Sequence, residues 1–228
     1  MSSAVPEDER MSAHSEFIAA VQAGDVEKSK ALLLSDPSLS SAKDERGVSA
    51  LMHAYYRGQK EIADVLLNFR SDLDIFEATA SGRAQTVATI LDRDPAQSKN
   101  WSADGFTPLH FAAFFRQPEI ARELIRRGAN VGASSMNPME VTPLHSAAAA
   151  HSAEIVRMLV ENGAPVNARQ HGGWTALHAA ADNGDPEMVK FLLQHGADLH
   201  VRNDDGKTPL DIAELKGREQ VLPLLATA

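Results

Sequence analysis

Histidine is the residue type in this chain that could most readily support catalysis or hold a metal ion. The chain has nine histidines and no cysteine. Zinc-binding helices carry spacings such as H-E-x-x-H, and the common structural zinc sites use cysteine. No such spacing occurs at His53, His151, His171, His195 or His200. We therefore predict no metal site and no cofactor, and the missing cysteines exclude disulfides and thiolate chemistry.

Motifs for nucleophilic catalysis and phosphate binding are equally scarce. Ser40 and Lys43 form one S-x-x-K match, but so short a pattern arises by chance and no other part of that catalytic set accompanies it. The chain contains no G-x-G-x-x-G, G-x-x-x-x-G-K-[ST] or G-x-S-x-G motif. We predict that the protein is not an enzyme, and no residue receives a catalytic role.

The charge balance argues against a nucleic-acid partner. Acidic residues outnumber basic ones by 31 to 22, and no run of Lys or Arg is longer than Arg126-Arg127. Binding to nucleic acid requires a concentration of cations that neutralise phosphates. No stretch approaches the roughly 20 apolar residues of a membrane helix, and the N-terminus lacks a signal-peptide core. We expect a cytoplasmic protein that binds neither nucleic acid nor membranes and is a monomer by itself.

A repeat is the strongest signal in the sequence. The stretch from Gly173 to His200 reads GWTALHAAADNGDPEMVKFLLQHGADLH, and parts of it recur upstream and downstream. Steps of 35, 33 and 33 residues separate the leucines of the clearest copies, which are Leu109, Leu144, Leu177 and Leu210. A period in this range indicates stacked supersecondary units rather than one globular core.

At these residues the chain resembles the ankyrin-repeat family. The resemblance rests on T-P-L-H, as at Thr107–His110, together with the later L-L-x-x-G-A-D element at Leu192–Asp198. It implies an all-α solenoid whose unit is a short β-turn hairpin followed by two antiparallel helices. It also implies a structural role for three histidines that share one position of the repeat, with each imidazole bonded to the neighbouring turn: His110, His145 and His178.

Degenerate copies raise the number of units to about seven. In the best copy Gly184 closes the first helix and lies seven residues after Leu177, and the same offset finds the weaker copies. The units then span about 14–46, 47–72, 73–103, 104–136, 137–170, 171–204 and 205–228 of a single domain. Only 24 residues separate Leu51 from Ile75, so we expect no hairpin between those two units. Residues 1–13 are expected to be a disordered tail, with helix beginning near Ser15.

Two units depart from the pattern at the glycine that closes the first helix. Arg116 stands there in the fourth unit and His151 in the fifth. A left-handed backbone at a residue other than glycine costs on the order of 1 kcal/mol. We expect the two loops to relax out of that conformation. The alternative is that they keep it and display Arg116 and His151 to a ligand.

The resemblance also implies a binding face, formed by the hairpin tips and the last exposed positions of each first helix. In this chain those positions are Tyr56, Arg57, Phe106, Phe114, Phe115, Val141, Trp174, Asp182 and Asn183, with Trp101 just before the fourth turn. We predict an aromatic patch across units two to six, floored by Ala149 and Ala150, with Asp182 and Asp185 at its C-terminal side. An alternative is that Phe114 and Phe115 fill core space.

The function implied by the resemblance is non-catalytic recognition of another protein, as an adaptor or an inhibitor, through the concave face. Two alternatives stay open. The protein could be an accessory subunit that regulates an enzyme, or it could bind a small molecule.

Overall fold

The computed structural model describes residues 7–226, and in that range the chain forms fourteen α-helices in seven consecutive pairs. The helices are Glu7–Ala23 (α1), Val26–Ser35 (α2), Ala50–Tyr56 (α3), Lys60–Asn68 (α4), Ile75–Ala80 (α5), Ala84–Arg93 (α6), Pro108–Phe114 (α7), Pro118–Arg126 (α8), Pro143–Ala149 (α9), Ala153–Glu161 (α10), Ala176–Asn183 (α11), Pro186–Gln194 (α12), Pro209–Leu215 (α13) and Leu222–Ala226 (α14). The expected all-α solenoid is confirmed.

The first helix of each pair, here termed helix A, packs on the helices A of the adjacent pairs, and most second helices, termed helix B, do the same in their own layer. From α7 onward each helix A begins sharply because a threonine caps it and a proline often follows, as at Thr107 and Pro108. Proline suits this first turn because no backbone donor is needed there. The anchor leucines Leu109, Leu144 and Leu177 are buried between the layers.

The buried core is not continuous along the stack. One apolar cluster runs from Ile75 through the third to the seventh pair, and a second cluster holds the first two pairs together around Phe17, Leu51 and Leu66. Between them, α4 and α6 form the weakest contact between adjacent helices B. A smaller cluster containing Met52 and Phe111 joins the two on the helix A side.

A hairpin precedes helix A in five of the pairs, and one backbone hydrogen bond closes each hairpin. The closing bonds of 2.7–2.9 Å are Asp44 N to Val48 O, Ser102 N to Phe106 O, Ser135 N to Val141 O, Gln170 N to Trp174 O and Asn203 N to Lys207 O. No hairpin is present at residues 69–74, between α4 and α5. The expectation of a hairpin-free junction is therefore confirmed.

The expected tail and the expected start of the first helix are wrong where the structure describes them. Helix α1 begins at Glu7, so residues 7–13 are helical and Ser15 lies inside the helix rather than capping it. The sequence of this segment contains Glu, Arg, Met and Ala, which favour helix. Residues 1–6 of the expected tail lie outside the described residues.

The expected relaxation of two loops is also wrong. Arg116 and His151 keep the left-handed backbone, with φ of 54° and 56°. The helices on either side fix this geometry: the Gln117 N–H donates to Ala112 O at 2.8 Å. The equivalent Asp185 N–H donates to Ala180 O at 3.1 Å in the copy that has Gly184. Packing and these bonds therefore override the preference for glycine.

Candidate functional site

Aromatic side chains converge on Phe111, the second residue after the anchor Leu109. The Phe111 ring is 3% exposed. Four other rings have centroids within 5.7–6.2 Å of it: Tyr56, Phe76, Phe106 and Phe115. Phe114 extends the group outward by packing edge-on against Phe115 at 5.1 Å. Aromatic pairs at such separations are favourable beyond the apolar area they bury, so the group forms a rigid platform.

A half-enclosed cavity of about 330 Å³, here termed the aromatic cavity, opens beside this platform. Its walls come from α3, α7, α9 and the three hairpins that precede α7, α9 and α11. The lining residues are Tyr56, Phe106, His110, Phe111, Phe114, Met139, Val141, His145, Ser146, Ala149 and Gln170. Phe114 is 49% exposed and Met139 is 55% exposed at its rim, so large apolar surface faces solvent here.

The missing hairpin between α4 and α5 explains why the cavity lies at this point of the stack. Tyr56 of the second pair reaches across the third pair, and its hydroxyl donates a hydrogen bond to Asp104, in the hairpin of the fourth pair. A side chain built at Gly47 would lie 3.3 Å from the Ala103 Cβ, so the hairpins on either side of the gap approach each other. Burial and the bond to Asp104 raise the pKa of Tyr56, which stays protonated as a donor.

A second cavity, of about 1030 Å³, shares Tyr56, Phe106 and Met139 with the aromatic cavity, and here it is termed the arginine cavity. Arg46 and Arg57 line it. Its one carboxylate in the described lining is Asp104, and that group already accepts bonds from the Tyr56 hydroxyl and from Ser102 Oγ at 2.5 Å. The described lining therefore carries one more positive than negative charge, although the whole chain has a net charge of −9.

Thr-His pairs hold the floor of the aromatic cavity in place. His110 Nδ1 accepts the Thr107 N–H at 3.1 Å, and His110 Nε2 donates to the Val141 carbonyl at 2.8 Å. His145 makes the same two kinds of bond, to Thr142 and to the Ala168 carbonyl. Burial lowers the pKa of His110 to about 4, against the bond to Val141, which raises it. The imidazole is therefore neutral near pH 7 and ties one hairpin to the next.

Five of the residues expected at the binding face meet at the aromatic cavity or its platform: Tyr56, Phe106, Phe114, Phe115 and Val141. Arg57 follows Tyr56 as the C-cap of α3 and lines the arginine cavity. Ala149, expected as part of the floor, also lines the aromatic cavity. Phe115 is half-buried under Phe114 and contacts Tyr55 as well, so it supports the platform more than it faces solvent.

The remaining expected residues are placed elsewhere. Trp101 lines neither cavity and packs against the His110 ring at 6.3 Å, and Trp174 packs against His178 at 5.6 Å. Asp182 forms a 3.3 Å ion pair with Lys216. Asn183 donates from Nδ2 to the Ala148 carbonyl at 2.8 Å, which ties two pairs together.

The loop residues expected to face a ligand are exposed. Arg116 directly follows Phe115, and His151 occupies the same position in the next pair. Neither side chain has a hydrogen bond or ion pair within residues 7–226.

Two kinds of residue at the site were not anticipated from the sequence. Phe111 is one, and its signal was available: the equivalent positions in the next two copies are the small residues Ser146 and Ala179. The methionines in the hairpin of the fifth pair are the other. Met136 is 72% exposed and Met139 lines the aromatic cavity. Their signal was the longer step of 35 residues that ends at Leu144.

The described residues include no group of three or more His, Cys, Asp or Glu side chains placed to hold a metal ion. Within the same range, none of the helices combines the length and the apolar character that crossing a membrane requires.

Models of known protein families match most of the chain. A family model described as ankyrin repeats (3 copies) matches residues 17–135 and 75–170, and one described as ankyrin repeats (many copies) matches residues 159–213. A relative, "Ankyrin repeat and SAM domain-containing protein 6" of Danio rerio, is 40% identical over 58 residues. That alignment covers 25% of this chain and 8% of the relative. Ankyrin repeats are generally protein–protein interaction modules without catalytic activity.

Proposed function

Because the chain belongs to the ankyrin-repeat family, we propose that it is a non-catalytic adaptor or inhibitor that binds a partner protein through its concave face and hairpin tips. The contact centres on the aromatic cavity. The observation that carries this proposal is the exposed apolar rim of Phe114 and Met139 around that cavity. Apolar groups of this size are costly to leave in water and mark interaction sites when they are contiguous.

The composition of the rim supports a protein partner. Aromatic residues and methionine are enriched at protein interfaces, and binding energy concentrates in a few such residues near the centre. The rim contains such residues. Its Tyr56 and Phe114 rings each pack against the Phe115 ring. Their fixed positions reduce the conformational entropy that binding would cost.

Affinity capture from an extract of the source cells tests the proposal, with the retained proteins identified by mass spectrometry. The baits are wild type, the Phe114→Ser/Met139→Ser double variant and Leu34→Ser. Leu34 is 71% exposed on α2, in the first pair, so its variant is a matched control for loss of exposed apolar surface. We expect a protein that wild type and Leu34→Ser retain and the double variant loses. Retention by all three baits would place the interface elsewhere and contradict the proposal.

The two alternatives remain, and each has its own test. If the captured protein is an enzyme whose turnover changes when this chain is added in equal amount, the chain is an accessory regulatory subunit. The cavity of about 330 Å³ lies at the lower end of the range for small-molecule sites, which is roughly 300–1,000 Å³. A bound metabolite seen by native mass spectrometry would therefore favour small-molecule binding.

A cytoplasmic location and a monomeric state are part of the same proposal. Size-exclusion chromatography with light scattering tests the second of these, and a dimer mass would contradict it.

A further inference from the structure

We infer that the partner segment is an extended stretch of protein in which one large apolar side chain is flanked by Asp or Glu. The apolar side chain enters the aromatic cavity, and the carboxylates lie over Arg46 and Arg57 in the arginine cavity. This inference deepens the proposed function and depends on it, because it specifies the chemistry of the partner at the same face.

The size of the aromatic cavity sets the number of anchors. At about 330 Å³ it is near the lower limit of pockets that enclose a small organic molecule. A bound amphipathic helix would need a groove for several anchors, at i, i+3 or i+4 and i+7. One half-enclosed cavity of this size holds one anchor, which favours an extended segment or loop. The flexible Met139 side chain at the rim can adjust to the shape of that anchor.

The charges beside the cavity set the chemistry of the flanks. The Arg57 side chain has no hydrogen bond or ion pair within the described residues, and Arg57 is exposed as the C-cap of α3. The Arg46 side chain is 77% exposed, and its one ion pair within residues 7–226 is with Asp44, at 3.3 Å. That Asp44 carboxylate is also shared with His53, at 3.0 Å. Two guanidinium groups thus face the arginine cavity with spare donors, and carboxylates are the protein groups that match their fork geometry.

Continuity of the two cavities fixes the spacing between anchor and flank. Tyr56, Phe106 and Met139 line both cavities, so a chain whose anchor sits beside Phe114 passes directly into the arginine cavity. A residue of extended chain spans about 3.3 Å. The carboxylates are therefore expected within a few residues of the anchor.

Selection of a phage-displayed library of random peptides on the full chain tests the inference. Enriched peptides are synthesised and titrated by fluorescence anisotropy against wild type, Phe114→Ser, Arg57→Glu and Lys190→Glu. Lys190 is exposed on α12, in the helix B layer, and has no ion pair in the described residues. Its reversal changes the net charge by the same amount as Arg57→Glu, away from the site. Thermal melts check that each variant stays folded, and Met139→Ser replaces Phe114→Ser if that variant does not fold.

We expect the enriched peptides to share a large apolar residue with Asp or Glu close to it in sequence. Phe114→Ser should weaken their binding by about tenfold or more. Arg57→Glu should weaken it several-fold at low salt and less at high salt, because exposed charges are screened. Lys190→Glu should have little effect.

The other outcomes separate the inference from the proposed function. Peptides that depend on Phe114 but are neutral or basic, or are insensitive to Arg57→Glu, overturn the inference and leave the proposed function standing. If no peptide is enriched, the extended acidic segment is wrong, while a folded partner found by affinity capture would still support the proposed face. Peptides that bind the Phe114→Ser and Met139→Ser variants as well as wild type contradict both.

Discussion

The junction between the second and third helix pairs and the junction between the fourth and fifth pairs solve the same packing problem differently. At the later junction a hairpin is present, and the neutral, buried His110 donates a hydrogen bond to a carbonyl of that hairpin, that of Val141. At the earlier junction there is no hairpin. A buried ion pair of 2.7 Å between Arg70 and Glu77 instead joins the segment after α4 to α5. Helix stacking is continuous on the helix A side in both cases. The hairpins are therefore separable from the helical core.

The difference has a structural cost and a structural consequence. The buried core divides into two clusters at the junction that lacks a hairpin. The space that a hairpin would occupy is instead bordered by Tyr56, Phe76 and Trp101, with Asp104 held from across the gap. A deletion in the repeat thus both weakens the coupling between units and makes room for the aromatic platform.

The largest expected effect comes from breaking the ion pair at the earlier junction. The Arg70 side chain is 7% exposed and the Glu77 side chain 1% exposed. Arg70→Met leaves the Glu77 carboxylate buried without its cation, which should cost about 3–5 kcal/mol in the free energy of unfolding. Urea denaturation measures this.

A double variant distinguishes the effect of the unpaired charge from the effect of lost packing by Arg70. Glu77 also accepts the Asp74 N–H in the capping box that starts α5, and glutamine can keep that role. Arg70→Met/Glu77→Gln should therefore recover a substantial part of the loss. Equal losses in the single and double variants would show that the junction depends on packing by Arg70 and not on its charge.

The next effect is a pH dependence that belongs to the junctions with hairpins. Burial holds the pKa of His110 at about 4, below its ordinary value of 6.5. Between these pH values the unfolded chain binds this proton and the folded chain does not, so the free energy of unfolding falls as pH is lowered from 6.5 towards 4. A pKa difference of this size corresponds to on the order of 3 kcal/mol. Above pH 6.5 the contribution is complete.

Urea midpoints measured across this pH range test the histidine contribution. His110→Gln should be less stable than wild type at pH 7 but show a shallower fall towards pH 4. Asp211 provides the control, because it occupies the same place in the Thr208 capping box of the last pair. Bonds from Thr208 lower the Asp211 pKa, so Asp211 is ionised in both the folded and the unfolded chain in the upper part of the window, above about pH 5. Above about pH 5, Asp211→Asn should leave the slope unchanged, and an unchanged slope in His110→Gln over the same range would contradict the assignment.

A smaller effect is expected at the loops that close helix A. Arg116→Gly should raise the free energy of unfolding by about 1 kcal/mol, because glycine removes the strain of the left-handed backbone. Gly217 has a φ of 64° with no atom near an added Cβ, so Gly217→Ala should lower stability by about the same amount. Calorimetric melting temperatures measure both. Opposite signs are essential to the explanation, and two changes of the same sign would refute it.

Much of the fold follows from the sequence because the anchor and the closing glycine of the repeat keep a fixed spacing. The offset between the anchor and the closing glycine finds weak copies such as Ile75 and Gly82, and the short step at Ile75 reveals the missing hairpin. The start of α1 does not follow, since a cap-like Ser15 competes with a longer run of helix-forming residues before it. Local preference for glycine also misleads at Arg116, where the flanking helices fix the loop.

The candidate site is only partly predictable for a different reason. The repeat pattern assigns each residue to a position, and it places Tyr56, Phe106 and Phe114 on one face. It does not show that Tyr56 lies beside Asp104, because that proximity exists only when the hairpin between them is missing. Nor does it show that Trp174 packs on His178 within its own pair. Which residues of different units come close depends on whether a hairpin fills the junction between them. The repeat position of a single residue does not contain that information.

The smallest expected effect sharpens the contrast between buried and exposed charge pairs. Arg122 and Glu154 join α8 to α10 at 3.0 Å with about three-fifths of each side chain exposed. Because water and salt screen such a pair, Arg122→Ala should change the free energy of unfolding by no more than about 0.5 kcal/mol. Urea denaturation of Arg122→Ala beside Arg70→Met compares one exposed and one buried arginine in the same stack. A loss at Arg122 as large as that at Arg70 would mean that adjacent pairs are coupled by surface charge, and the core division at the hairpin-free junction would then not set the weakest point of the solenoid.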